Sequence, residues 1–194
     1  MENEEKSMTG EESLRIITEM INKTKISICQ GSFHLLFWGW LIFFCSLSEY
    51  LLRRFTEFEH PYYVWLLVIP GVFVSLFYGF IKGRKQPVST YATYVYVWTW
   101  MAFLFSAIIL YILMFNNMQG FSAFILTLAA IPTFISGIIL KFRPLIIGAF
   151  TFWIFAVINH FAGNDIASLS VPAAMLAGYL IPGYLLKRKD HGTV

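Results

Sequence analysis

Residues 62–81, YYVWLLVIPGVFVSLFYGFI, run for 20 positions without a charge. At about 1.5 Å of rise per residue a helix of that length is roughly 30 Å long, the thickness of a bilayer's hydrocarbon core. Tyrosines open the run, and Lys82, Arg84 and Lys85 close it. Aromatic residues at one interface and cations just beyond the other are the marks of a membrane span, and the cations set its direction.

Variations on this unit recur along the chain. Apolar runs at 33–52, 62–81, 94–115, 120–140, 145–161 and 166–186 give six spans. Buried strands are only about 4–8 residues long, and barrel strands alternate apolar with polar; these runs do neither. Charged residues make up 13% of the 194 residues, about half the share usual in a soluble domain, so the chain needs a non-aqueous solvent. The expected fold is all-α: a polytopic bundle of six transmembrane helices in three hairpins, with a cytoplasmic tail (1–31) before it and a basic tail (187–194) after it.

Orientation follows from the cations. Residues 1–31, the loop after the second span, the loop after the fourth and the C-terminal tail hold twelve Lys and Arg, whereas the opposite face holds Arg53 and Arg54. This bias places both termini in the cytoplasm. The net charge of +3 does not read as nucleic-acid binding, because the cations cap apolar segments and form no basic surface of their own.

The N-terminal segment is the polar exception. Thr9 and Glu12 form a capping-box pattern, and Leu14, Ile17 and Ile21 make an apolar stripe at helical spacing. The spacing predicts a short amphipathic helix over 11–23, lying on the membrane surface or packing on a protein. Residues 9–27 are thus the expected contact for a cytoplasmic partner or a second copy; the bilayer is the other partner.

Chemistry is sparse. Cys29 and Cys45 are sixteen residues apart on a helix, about 24 Å, and cannot pair. HExxH, GxSxG, P-loop and GxGxxG motifs are absent, as are paired intramembrane aspartates. No catalytic residue and no cofactor is expected, and the chain reads as non-enzymatic. Glu49 and Arg53 are spaced for an interfacial i,i+4 ion pair. Pro70, Pro132 and Pro182 each follow an isoleucine in an even-numbered span and are positioned to kink it, with Thr133 and Ser136 near Pro132 to satisfy freed backbone groups. Among the residues assigned to the outer face, His60, His160 and Asp165 would form a metal or cation site if the first and third hairpins are neighbours. A weak repeat relates Trp38-Gly-Trp40 to Trp98-Thr-Trp100 at an offset of 60.

The segment ESLRIITEMINKTK, the opening FWGWLIFF and the closing GYLIPGYLLKRK resemble an uncharacterised family of small six-span bacterial inner-membrane proteins. The resemblance implies a bacterial cytoplasmic membrane and no assigned activity or site. The functional expectation is an integral membrane protein acting through a cytoplasmic partner, in regulation or at the envelope. The alternative is a small transporter or channel for a neutral or lipophilic substrate, which would line the bundle's centre with Ser, Thr and Asn rather than Phe and Leu.

Overall fold

The computed structural model describes the backbone of residues 10–56, 59–83 and 91–191, and side chains from Phe33 onward apart from 82–83, 92–93, 164–165 and 189–191. Thr9, Glu57, Arg84, Lys85 and Pro87 lie outside the described residues. The described chain is helical, with no strand. Its elements are α1 (Gly10–Phe55), a 3₁₀ turn (Pro61–Leu67) leading into α2 (Val68–Gly83), α3 (Tyr91–Met114), α4 (Phe121–Ile139), α5 (Arg143–Phe161), α6 (Asn164–Met175), a π-helical segment (Leu176–Leu180) and α7 (Ile181–His191).

Among the described residues, six stretches are long and apolar enough to cross a membrane: Phe33–Phe55, Pro61–Ile81, Tyr94–Met114, Phe121–Ile139, Arg143–Phe161 and Ile166–Arg188. They coincide with the six runs read from the sequence to within about three residues at each end. The sixth is assembled from α6, the π segment and α7 without interruption.

The spans pack as a row, in the order third, fourth, fifth, sixth, first, second. The third hairpin (α5 with α6–α7) is therefore central, with the first hairpin on one side and the second on the other. Burial follows this order. The sixth span is 61% buried over its most apolar window, whereas the second and third, at the two ends of the row, are 6% and 0% buried.

Missing side chains at the centre allow the helices to close. A Cβ on Gly148 of α5 would stand 2.6 Å from the carbonyl oxygen of Gly178, and one on Gly178 would meet the Phe152 ring at the same distance. On the other side, a Cβ on Gly39 of α1 would lie 2.9 Å from Leu180 Cδ2, and one on Gly183 would lie 2.9 Å from Leu36 Cδ2. Backbones can approach this closely only where side chains are absent. Leu126, Leu145, Phe152 and Ala174 fill the space around these contacts.

These contacts also fix which ends of the helices lie together. Leu36 beside Gly183, and Gly137 beside Ile146, bring the start of the first span, the α4–α5 turn and α7 to one end of the bundle. Lys141, Arg143, Lys187 and Arg188 are exposed at that end. Lys141 sits at φ 49°, in the left-handed region. It closes α4 with Phe142 N–H bonding Gly137 O and Lys141 N–H bonding Ile138 O, a C-terminal motif that glycine usually serves.

The N-terminal helix differs from its expectation. In place of a separate helix over 11–23, α1 runs unbroken for 46 residues. Thr24, Ser27 and Gly31 favour a break by intrinsic propensity, but none is of the proline kind that stops a helix, and helical hydrogen bonding continues through them.

The packing generates a stability prediction. Gly148→Val is expected to cost about 1–3 kcal/mol by overpacking against the Gly178 carbonyl and to lower the thermal midpoint of the detergent-solubilised protein. Gly79→Ala, where nothing stands within 4 Å of the new Cβ, is expected to leave the midpoint unchanged or to raise it.

Candidate functional site

The π segment is the irregular element at the bundle's centre, and its cause lies in the sequence. Pro182 has no N–H, so the Gly178 carbonyl four residues earlier loses its helical donor, and the ring crowds that carbonyl. The chain widens by one residue instead. Ile181 N–H bonds Leu176 O in the π pattern. The Gly178 carbonyl points at Gly148, where only a hydrogen stands in its way.

Beside it lies a cluster of polar side chains. The hydroxyls of Tyr179 and Thr133 are 3.1 Å apart and buried. Thr133 Oγ1 also stands 2.7 Å from Ala129 O and donates its single proton there, so Tyr179 is the donor to Thr133. The Phe152 ring meets Tyr179 edge-on at 4.8 Å. One turn along α4, Ser136 donates to Pro132 O at 2.6 Å and accepts from Trp100 Nε1–H of α3 at 3.2 Å. This joins the third, fourth and sixth spans through hydroxyl and indole groups.

A second network, toward the opposite end of the bundle, ties the fourth, fifth and sixth spans. Asn159 of α5 is buried; its Oδ1 accepts from Ser122 of α4 at 2.8 Å, and its Nδ2 donates to Ala167 O at 2.6 Å and Ser170 Oγ at 2.7 Å in α6. Among the described residues no buried side-chain nitrogen or oxygen lacks a hydrogen-bond partner. Both networks therefore spend their polarity on one another.

Pro132 lies inside α4, and Pro70 is the third residue of α2, just past the 3₁₀ turn. Pro182 is the second residue of α7 and follows the π segment directly. Pro172, inside α6, is a further internal proline that the sequence reading did not single out. At the end of the bundle away from Lys141, Arg53 Nη2 stands 2.6 Å from Glu49 Oε1, and Trp65 Nε1–H donates to Glu49 Oε2 at 2.6 Å. Glu49 thus holds the first span to the 3₁₀ turn that opens the second. Cys45 is buried nearby with its thiol 3.6 Å from Val64 O.

The first and third hairpins are neighbours, as the metal site would require. His60 is exposed, with Nδ1 3.1 Å from the Tyr62 hydroxyl and its ring against Tyr62 and Tyr63. His160, also exposed, stands edge-on to Phe161 beside Gly120. The side chain of Asp165 lies outside the described residues. Among the described residues, no group of three His, Cys, Asp or Glu is placed to hold a metal ion.

The weak repeat has a structural counterpart at a different offset. Trp38 Nε1–H donates to Ser75 across the first hairpin at 3.3 Å, as Trp100 does to Ser136 across the second. Trp38 thus matches Trp100, and Pro70 matches Pro132, at an offset of 62 rather than 60, whereas the acceptors Ser75 and Ser136 are 61 apart. Trp40 instead donates to the Tyr184 hydroxyl of α7 at 3.2 Å, and Trp98 is exposed.

The fold and these networks define a class: an all-helical membrane protein with six spans, whose buried polar groups are paired with one another. Compared with known proteins, the chain matches no family model, no curated protein and no solved structure.

The Tyr179–Thr133 bond is testable by a double-mutant cycle. Tyr179→Phe is expected to cost about 0.5–1.5 kcal/mol of stability. Thr133→Val made in the Tyr179→Phe background should cost less than in the native chain, because the shared bond is already gone. Thermal midpoints of the four proteins check this.

Proposed function

We propose that this is a non-enzymatic protein of a bacterial cytoplasmic membrane that acts through a cytoplasmic protein partner held at residues 9–27, in regulation or at the envelope. The observation that carries this reading is the continuity of α1. The first span begins at Phe33, and the same helix starts at Gly10. The preceding 23 residues form a helical extension about 35 Å long, joined without a hinge to a span that packs on the centre of the bundle. A partner held there is coupled to the membrane domain. The twelve-to-two distribution of Lys and Arg supports cytoplasmic termini.

The alternative, a small transporter or channel for a neutral or lipophilic substrate, draws support from the Tyr179–Thr133 pair and the adjoining π turn, since such turns recur at functional sites. Two features weigh toward the first reading. Thr133 lies only three residues, about 4.5 Å, from the middle of α4, but its hydroxyl is taken up by Ala129 O and the Tyr179 hydroxyl. Phe152, midway along α5, is fully buried with Leu126 at the level where a substrate path would need polar walls.

Two measurements test the proposal. A fluorescent-protein fusion at Val194 is expected to fluoresce in bacterial cells, whereas a periplasmic-reporter fusion there is expected to be silent; the reverse would place the C-terminus outside. Affinity capture from solubilised membranes is expected to recover a protein with the full chain and to lose it when residues 9–27 are deleted. Capture unaffected by that deletion would overturn the docking role.

A further inference from the structure

The extension and the span share one helix, so their faces share one register. Within the span, Leu35 is buried and lies against Gly183, and Gly39 abuts Tyr179 and Leu180. This is the face turned to the sixth span. Ile17 precedes Leu35 by 18 residues, which is five whole turns at 3.6 residues each. Leu14, Ile21 and Ile28 precede it by three, two and one heptads, each heptad being two turns with a drift of about 20°. Those four positions therefore continue the bundle-facing side of the helix. By the same count, Glu12, Arg15, Glu19 and Lys23 fall on the opposite side.

The sixth span covers only part of this stripe. Leu35 Cβ lies 3.5 Å from where a Cβ of Gly183 would stand. α7 ends at His191, eight residues or about 12 Å beyond that contact. Its end thus falls level with about position 27 of the antiparallel α1. Positions 14–24 lie further along α1 than that level. A lipid surface does not suit this face. Positions 14–24 lie about 14–29 Å along the helix from Phe33, and a helix that turned to lie on the bilayer would need a break that α1 lacks between Gly10 and Phe55. The floor beneath the stripe is the bundle end that exposes Lys141, Arg143, Lys187 and Arg188. No acidic side chain described in the structure accompanies these cations at that end.

Resting on the partner-docking reading, we propose that positions 14, 17, 21 and 28 of the extension and the basic rim formed by Lys141, Arg143, Lys187 and Arg188 make one angled docking surface, and that its occupant is an acidic amphipathic helix of a protein partner. The apolar stripe takes the apolar face of that helix, as grooves take amphipathic helices generally. The rim meets its carboxylates and speeds their encounter. The surface lies over the end of the bundle rather than to its side.

The full chain in nanodiscs of neutral phosphatidylcholine, titrated against a fluorescein-labelled synthetic helix of Leu and Glu and its Lys-for-Glu counterpart, tests this by anisotropy. The acidic peptide is expected to bind at least tenfold more tightly than the basic one. Ile17→Asp with Ile21→Asp, and separately Lys187→Glu with Arg188→Glu, are each expected to weaken it at least tenfold at an unchanged thermal midpoint. Glu12→Lys with Glu19→Lys, on the far side of the helix, is expected to spare it. Equal binding of the two peptides, or insensitivity to the stripe and rim substitutions, overturns the proposal. So does a disulfide between two copies at Ile21→Cys, which would make a second chain the occupant. A nitroxide at Ile17→Cys that reports lipid-level oxygen accessibility would make the bilayer the occupant and overturn it likewise. If these arms fail while capture still depends on residues 9–27, the docking reading survives and the face assigned here is wrong.

Discussion

The contact between the backbones of Gly148 and Gly178 is the constraint on which the bundle rests. In a membrane the apolar faces of helices gain little by leaving lipid for one another, so association depends on close packing and on polar groups that find partners. At this crossing there is no side chain to hold the fifth and sixth spans apart. Tyr179 and Asn159 can then bridge to α4 and α6 at hydrogen-bond distance. The first span joins from the other side through a similar device, Gly39 and Gly183 giving room to Leu180 and Leu36. The second and third spans, at the ends of the row, have no such anchorage to the centre; each is held by its own hairpin partner, through Trp38–Ser75 and Trp100–Ser136.

Pro182 determines the local form of this centre. A proline within a span leaves a carbonyl without a donor in a solvent that offers none. Here the neighbouring helix receives the carbonyl at a glycine, and the π turn takes up the extra residue. The same turn carries Tyr179 to Thr133. The irregularity, the tight crossing and the buried hydroxyl pair meet within one turn of that proline.

Much of the architecture was legible in the sequence because a bilayer imposes a length. A run such as 62–81 can be little else, and the six spans fall where apolar length and flanking cations put them. Glu49 and Arg53 were legible as a pair because i,i+4 spacing is local; the third member, Trp65, lies across a turn and was not. The order of the helices was not legible. Small residues four apart show that something approaches closely, but not what: Gly178, four after Ala174, meets Gly148, whereas Gly79, four after Ser75, meets nothing within 4 Å. The π segment was hidden because Ile181-Pro182 reads the same as Ile131-Pro132, which leaves α4 unbroken. Nor was the continuity of α1 visible, since Thr24, Ser27 and Gly31 argue locally for a stop that the helix does not make.

That continuity makes the first span a lever. A span answers a change in bilayer thickness by tilting, and α1 offers no joint at which the tilt can be absorbed. With about 44 Å of helix between Gly39 and Gly10, a tilt of about 10° would sweep the far end by about 8 Å. The glycine contacts at positions 39 and 183 lie near the fulcrum, and Glu49 with Trp65 steadies the short arm. A tilt of the first span would therefore be carried, enlarged, to the N-terminal end of the helix.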